Sequence, residues 1–159
     1  MERKRVDINK MAKDAVVEKL ETNGFKISNQ DWYKRGKNII ANKDSRSFNI
    51  KVHAKRDSDW PNCKGVSGSN SILILVDYRR IGRFGKPDFY ILSEGEWIST
   101  VHTVVGDRIK RGTIEINEDN VPVWLDQPLK TGKGFYSGMG LKNRDVASHK
   151  EKWEKLLSV

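Results

Sequence analysis

The chain has 159 residues, 36% of them hydrophobic and 32% charged, with a formal charge of +9. That composition excludes a disordered segment and accommodates one domain over residues 1–159. No 18-residue apolar run interrupts it and no signal-type segment opens it, so the expectation is a cytoplasmic protein without a membrane partner.

Residues 10–22 read as a helix capped by Asn9, with Met11, Ala12, Ala15, Val16 and Leu20 as its apolar stripe and Asn23-Gly24 as its stop. Phe25-Lys26-Ile27 begins a strand, and residues 30–37, with Trp32 and Tyr33, form a turn or strand end. Residues 38–41 and 47–53 are neighbouring strands across the polar turn NKDSRS. Residues 55–70 look irregular and carry Trp60-Pro61 and Cys63. Ser71–Asp77 is an uninterrupted apolar run, expected to be covered on both faces. A basic connection with Arg79, Arg80, Arg83 and Lys86 leads to a strand over 88–92, and Ser93 to Glu96 has the form of a capping box opening a short helix. Residues 101–105, 113–116 and 121–125 each read as extended. PLKTGKGFYSGMGLKNRD reads as a basic surface loop with Lys133 beside DNA and Phe135 and Tyr136 as anchors, and without the spacing of a phosphate loop. The last element is a helix over 148–158, capped by Ser148 with Glu151 at N3 and Trp153, Leu156 and Leu157 facing inward. The elements together predict an α/β fold with a mixed central sheet flanked by helices.

Charge is concentrated at the front: residues 1–56 hold 15 Lys/Arg against 7 Asp/Glu, the remainder 15 against 14. Such a basic region is the footprint of a polyanion, and DNA is the expected partner. With one cysteine and three scattered histidines, neither a disulfide nor a zinc site is expected, and Cys63 reads as an inert thiol.

Lys51, set in Phe-Asn-Ile-Lys-Val, is the residue on which the functional reading turns. Two readings stay open: it faces a site on the sheet, or it is an ordinary solvent-facing strand lysine. Asn49 shares its face by the two-residue strand period, and Asn38 lies near the start of the paired strand. His53, Lys55 and Arg56 continue the strand, and with Arg79, Arg80, Arg83, Lys86 and Lys133 they are the candidate DNA contacts. Trp97, Trp124 and Trp153 read as core or half-core. Trp32, Tyr33 and Trp60, among polar neighbours, are rings that stack on a base or pack against the sheet edge.

G-F-K-I at 24–27, K-N-I-I-A at 37–41, F-N-I-K-V at 48–52, I-L-I-L-V-D at 72–77 and P-D-F-Y-I-L at 87–92 together resemble the restriction-endonuclease-like, PD-(D/E)xK superfamily over about residues 10–100. The resemblance implies a Mg²⁺- or Mn²⁺-dependent endonuclease, able to act as a homodimer, with the catalytic lysine at Lys51. The family's metal-binding positions then fall on Asn38 and Asn49, amides in place of carboxylates, and Glu18 is the candidate for a helix-borne metal ligand. Asp44, Asp57 and Asp59 are possible substitutes, whereas Asp77 and Asp88 read as solvated or paired with arginines. With Mg²⁺ preferring carboxylate oxygen, the expectation is a DNA-binding protein with impaired or no cleavage. An active endonuclease and a protein–protein module of a defence or phage system remain the alternatives.

Overall fold

The computed structural model describes residues 8–79, 86–130, 132 and 134–157, the last of these by its backbone alone. Arg80, Arg83, Lys133 and the side chain of Leu157 lie outside the described residues. Helix α1 (Ile8–Thr22) precedes β1 (Lys26–Ile27), β2 (Ile39–Lys43), β3 (Arg46–Lys55), β4 (Trp60–Cys63), β5 (Ser71–Asp77) and β6 (Asp88–Ser93). Helix α2 (Glu94–Lys110), strands β7 (Ile114–Ile116), β8 (Pro122–Pro128), β9 (Phe135–Ser137) and β10 (Met139–Leu141) and a short α3 (Glu154–Leu157) follow. The main sheet runs β1-β2-β3-β5-β6, with β3 and β5 parallel and every other pair antiparallel. It is a mixed α/β fold whose central sheet is flanked by helices.

Strand alternation divides the core in two. Phe48, Ile50 and Ala54 of β3 and Ile72, Ile74 and Val76 of β5 pack under α1 on Ala12, Val16, Val17 and Leu20. The opposite face of β5, Leu73 and Leu75, packs with Trp60, Trp97, Val101 and Leu141 under α2. All seven residues of β5 are buried, as the unbroken apolar run requires.

Helix α2 departs from the sequence expectation. The capping box is present, Ser93 Oγ accepting from the Glu96 N–H and Glu96 Oε1 from the Ser93 N–H. The helix, however, runs through 101–105 to Lys110, with non-helical dihedrals at Val105. Trp97, Val101 and Val105, four apart, form a buried stripe that outweighs the strand preference of Val-His-Thr-Val-Val. Ser93→Ala is expected to cost about 1 kcal/mol, measured as the shift of a urea unfolding midpoint.

Other expectations are corrected by tertiary demand. Trp60–Cys63 is a strand paired with β10, and Pro61 sits in a two-stranded sheet where its missing donor is tolerated. The glycine-rich stretch 128–145 contains β9, β10 and a 3₁₀ turn at Asn143–Asp145. Ser148 lies inside another 3₁₀ turn, Ala147–His149, and caps no helix. Residues 149–155 instead lie along β6: Lys150 bridges Tyr90, the Glu151 N–H donates to Phe89 O at 2.7 Å, and Lys155 Nζ to Ile91 O at 2.7 Å. Covering a strand edge takes precedence over the capping signature. Asn9 lies inside the helix, which begins at Ile8, and its Oδ1 accepts the Ala54 N–H at 3.1 Å.

Candidate nucleic-acid interface

Strand β2 pairs with β3 only as far as Ile39 opposite Ile50. Beyond that point residues 51–55 have a strand, β5, on one side, and on the other a cleft where β2 ends. The cleft measures about 660 Å³ and is walled by the start of α1, residues 33–38, the end of β3 and residues 55–61. Its lining includes Lys10, Lys13, Arg35, Lys37, Lys51, Lys55 and Arg56 against Asp57 and Asp59.

Lys51 lies in the third of five strands, just where that strand loses its β2 neighbour, and reaches this cleft. Its Nζ donates to Gly65 O at 3.2 Å. Gly65 is held in left-handed backbone (φ 86°), and a Cβ there would stand 1.9 Å from the Trp97 ring, so glycine alone fits. Burial lowers the Lys51 amine from its ordinary range, and the nearby Lys64 charge lowers it further. Asn38, one residue beyond the last β2–β3 pair, shares the cleft with Lys51. Asn49 is exposed on the same face of β3, two residues before Lys51.

The walls are fastened by residues that carry no local signal. Lys13, a charged residue outside the apolar stripe of α1, is buried, and its Nζ donates to Lys34 O at 2.9 Å and Lys37 O at 2.7 Å. Asn29 Nδ2 donates to Asn38 O at 2.7 Å, and Asn29 Oδ1 accepts the Ile40 N–H at 2.9 Å. These bonds tie the turn before β2 to the helix and sheet. Only the long-range partners identify them.

Several candidate residues are placed elsewhere. Glu18 is exposed on α1, which covers the sheet face bearing Phe48 and Ile50, opposite to that of Lys51. It is not among the residues that line the cleft with Lys51. Lys55 reaches the cleft wall, but its side chain is only 1% exposed and its amine is taken up internally. It donates to Ser58 O at 2.9 Å and to Asn143 Oδ1, lies 3.9 Å from Asp77 Oδ2, and sits 4.3 Å above the Trp60 ring. Burial lowers this amine and Asp77 opposes the lowering. Lys55 is therefore a buried internal cation and offers no charge to DNA.

His53 Nε2 lies 3.0 Å from Pro61 O. Burial lowers its pKa below the ordinary 6.5, so it is neutral at pH 7 and adds no cation. Arg56 is exposed in the cleft. Arg79 and Lys86 are exposed at either end of the 80–85 segment; neither lines the cleft, although the Arg79 charge acts on Lys55, which does. Asp77 is buried between Lys55 and Asn143 and is not solvated, while Asp88 pairs with Lys150 at 3.6 Å. Trp60 is wholly buried and donates to Val76 O at 3.1 Å, so it cannot stack on a base. Cys63 is buried, its thiol pushed up to about 12.

A magnesium ion does not fit this donor set. The cleft brings two carboxylates, Asp57 and Asp59, among seven cationic side chains, and Asn38 contributes only an amide. Among the described residues no group of three or more His, Cys, Asp or Glu is arranged to hold a metal. What the cleft can do is attract and hold an anion. Among the described residues no helix is long and apolar enough to cross a membrane. No protein-family model, curated protein or solved structure matches the chain.

Proposed function

We propose that the chain binds DNA through this cleft, on a scaffold of the restriction-endonuclease-like kind in which phosphodiester cleavage is impaired or lost. The observation that carries the reading is the convergence of Lys10, Arg35, Lys37, Lys51 and Arg56 on one concavity. Phosphate neutralisation by such a group is the main source of sequence-independent DNA affinity.

A second consideration points the same way. Lys51 is desolvated beside Lys64 where it lines the cleft, and amines perturbed in this way cluster at functional sites. The likeness to the nuclease scaffold rests on a leading helix, a hairpin with Asn38 and Lys51 at one end, and a parallel strand beyond it. Asn38 and Asn49 stand where that scaffold carries its acids, which removes the ligands a hydrolytic Mg²⁺ needs.

One gel tests the proposal. Supercoiled plasmid is titrated with protein at low and high salt, with Mg²⁺, Mn²⁺ or EDTA, and half of each sample is treated with protease before loading. The expected result is a shift at low salt that disappears at high salt, and no metal-dependent nicking. Nicks that need metal and vanish in Lys51→Ala would establish an active endonuclease. Absence of any shift would remove DNA as the partner and put a protein partner in its place.

A further inference from the structure

Resting on the DNA reading above, we propose that the cleft takes up unpaired DNA in preference to duplex, with a base stacked on Tyr33 and phosphates among Arg35, Lys51 and Arg56. Three rings stood out from polar surroundings in the sequence, and burial separates them. Trp60 is wholly buried and Trp32 packs against the core under α1. Tyr33 is 47% exposed and lines the cleft. It is braced edge-to-face on Trp32, with centroids 5.9 Å apart and planes at 87°. A large apolar ring beside solvent-exposed cations is the combination that binds single strands, because every base has a face to stack whatever its sequence.

The platform is fixed before any ligand arrives. Within the turn, the Lys34 N–H donates to Asp31 O and the Lys37 N–H to Lys34 O. Lys13 holds the carbonyls of Lys34 and Lys37 from the helix side. Gly36, at φ 80°, supplies the left-handed residue this tight turn needs. Little ordering of the loop is therefore left for binding to accomplish.

Size argues against a duplex inside the cleft. A concavity of about 660 Å³ falls in the range of small-ligand pockets. One or two unpaired nucleotides enter such a space, whereas a double helix rests across its mouth, where Tyr33 meets no base face.

The test is fluorescence anisotropy at fixed low salt with a labelled 20-mer single strand, its blunt duplex, and the same strand carrying abasic sites throughout. The full chain is compared with Tyr33→Ala and Tyr33→Phe. The single strand should bind about tenfold more tightly than the duplex, and Tyr33→Ala should lose about tenfold on the single strand alone. Tyr33→Phe, which keeps the ring, should retain wild-type affinity, and the abasic strand should not respond to either change. Duplex binding as tight as single-strand binding, or an equal loss on the abasic strand, overturns the preference while leaving the DNA-binding cleft standing. Absence of salt-sensitive binding to all three probes overturns both.

Discussion

Asp77→Ala is expected to lower the unfolding free energy by about 3–5 kcal/mol, the range for removing one partner of a buried ion pair. Lys55 and Asp77 are 1% and 5% exposed and their charges lie 3.9 Å apart. Asn143 links them: its Oδ1 accepts from Lys55 Nζ, and its Nδ2 donates to Asp77 Oδ2 at 2.7 Å and Tyr90 OH at 3.0 Å. Without Asp77 the ammonium keeps neutral acceptors, the Trp60 ring and the charge of Asp59, a lesser influence than Asp77, and the Arg79 N–H loses its acceptor. Urea unfolding followed by tryptophan fluorescence measures the loss.

The pH dependence has a definite sign. Asp77 raises the Lys55 amine against the lowering caused by burial, so removing it lowers the folded-state pKa further. The unfolded chain then binds the extra proton, and stability rises with pH between that lowered value and the ordinary 10.5. The deficit of Asp77→Ala should accordingly narrow in alkaline buffer. Lys55→Met combined with Asp77→Leu should cost far less than the sum of the single changes, because no charge is left unpaired. A loss below about 1 kcal/mol in Asp77→Ala would mean that the pair does not carry opposite charges in the fold.

This network shows where sequence reading stops. The β2–β3 hairpin, the buried run of β5 and the capping box of α2 were legible because each is written in neighbouring residues. Lys55 reads as one more exposed strand cation because its partners are remote: Asp77 on the next strand of the sheet and Asn143, 88 residues away, at the end of the glycine-rich stretch. The face to which Glu18 belongs was hidden for a related reason. Helical period places a residue on one side of a helix, but which sheet face that helix covers is set by long-range packing. Trp60 among Asp, Pro and Asn looks like a surface ring until β10 arrives to pair its strand. Lys51 was legible as an anomaly, an amine in an apolar strand. Its surroundings were not, since Lys13, Arg35 and Arg56 meet it only where β2 stops short of β3.

The combined variant Arg35→Gln, Lys51→Met, Arg56→Gln is expected to bind single-stranded DNA about a hundredfold more weakly at low salt, roughly fivefold for each phosphate contact removed. The slope of log affinity against log salt should fall by about 2, from roughly 0.7 per lost contact. Net charge alone would also weaken binding, so the control is Lys110→Gln, Lys142→Gln, Lys152→Gln. It makes the same change from +9 to +6, at residues outside the cleft lining. If the cleft is the site, the control keeps most of the affinity and nearly all of the salt slope. Equal losses in both variants would mean that the whole basic surface attracts DNA and the cleft has no special part. Stability gives an independent check on Lys51→Met alone: relief of desolvation and of the Lys64 charge offsets loss of the hydrogen bond to Gly65 O, so the unfolding midpoint should change little. Weaker binding with undiminished stability is what separates a residue kept for its ligand from one kept for the fold.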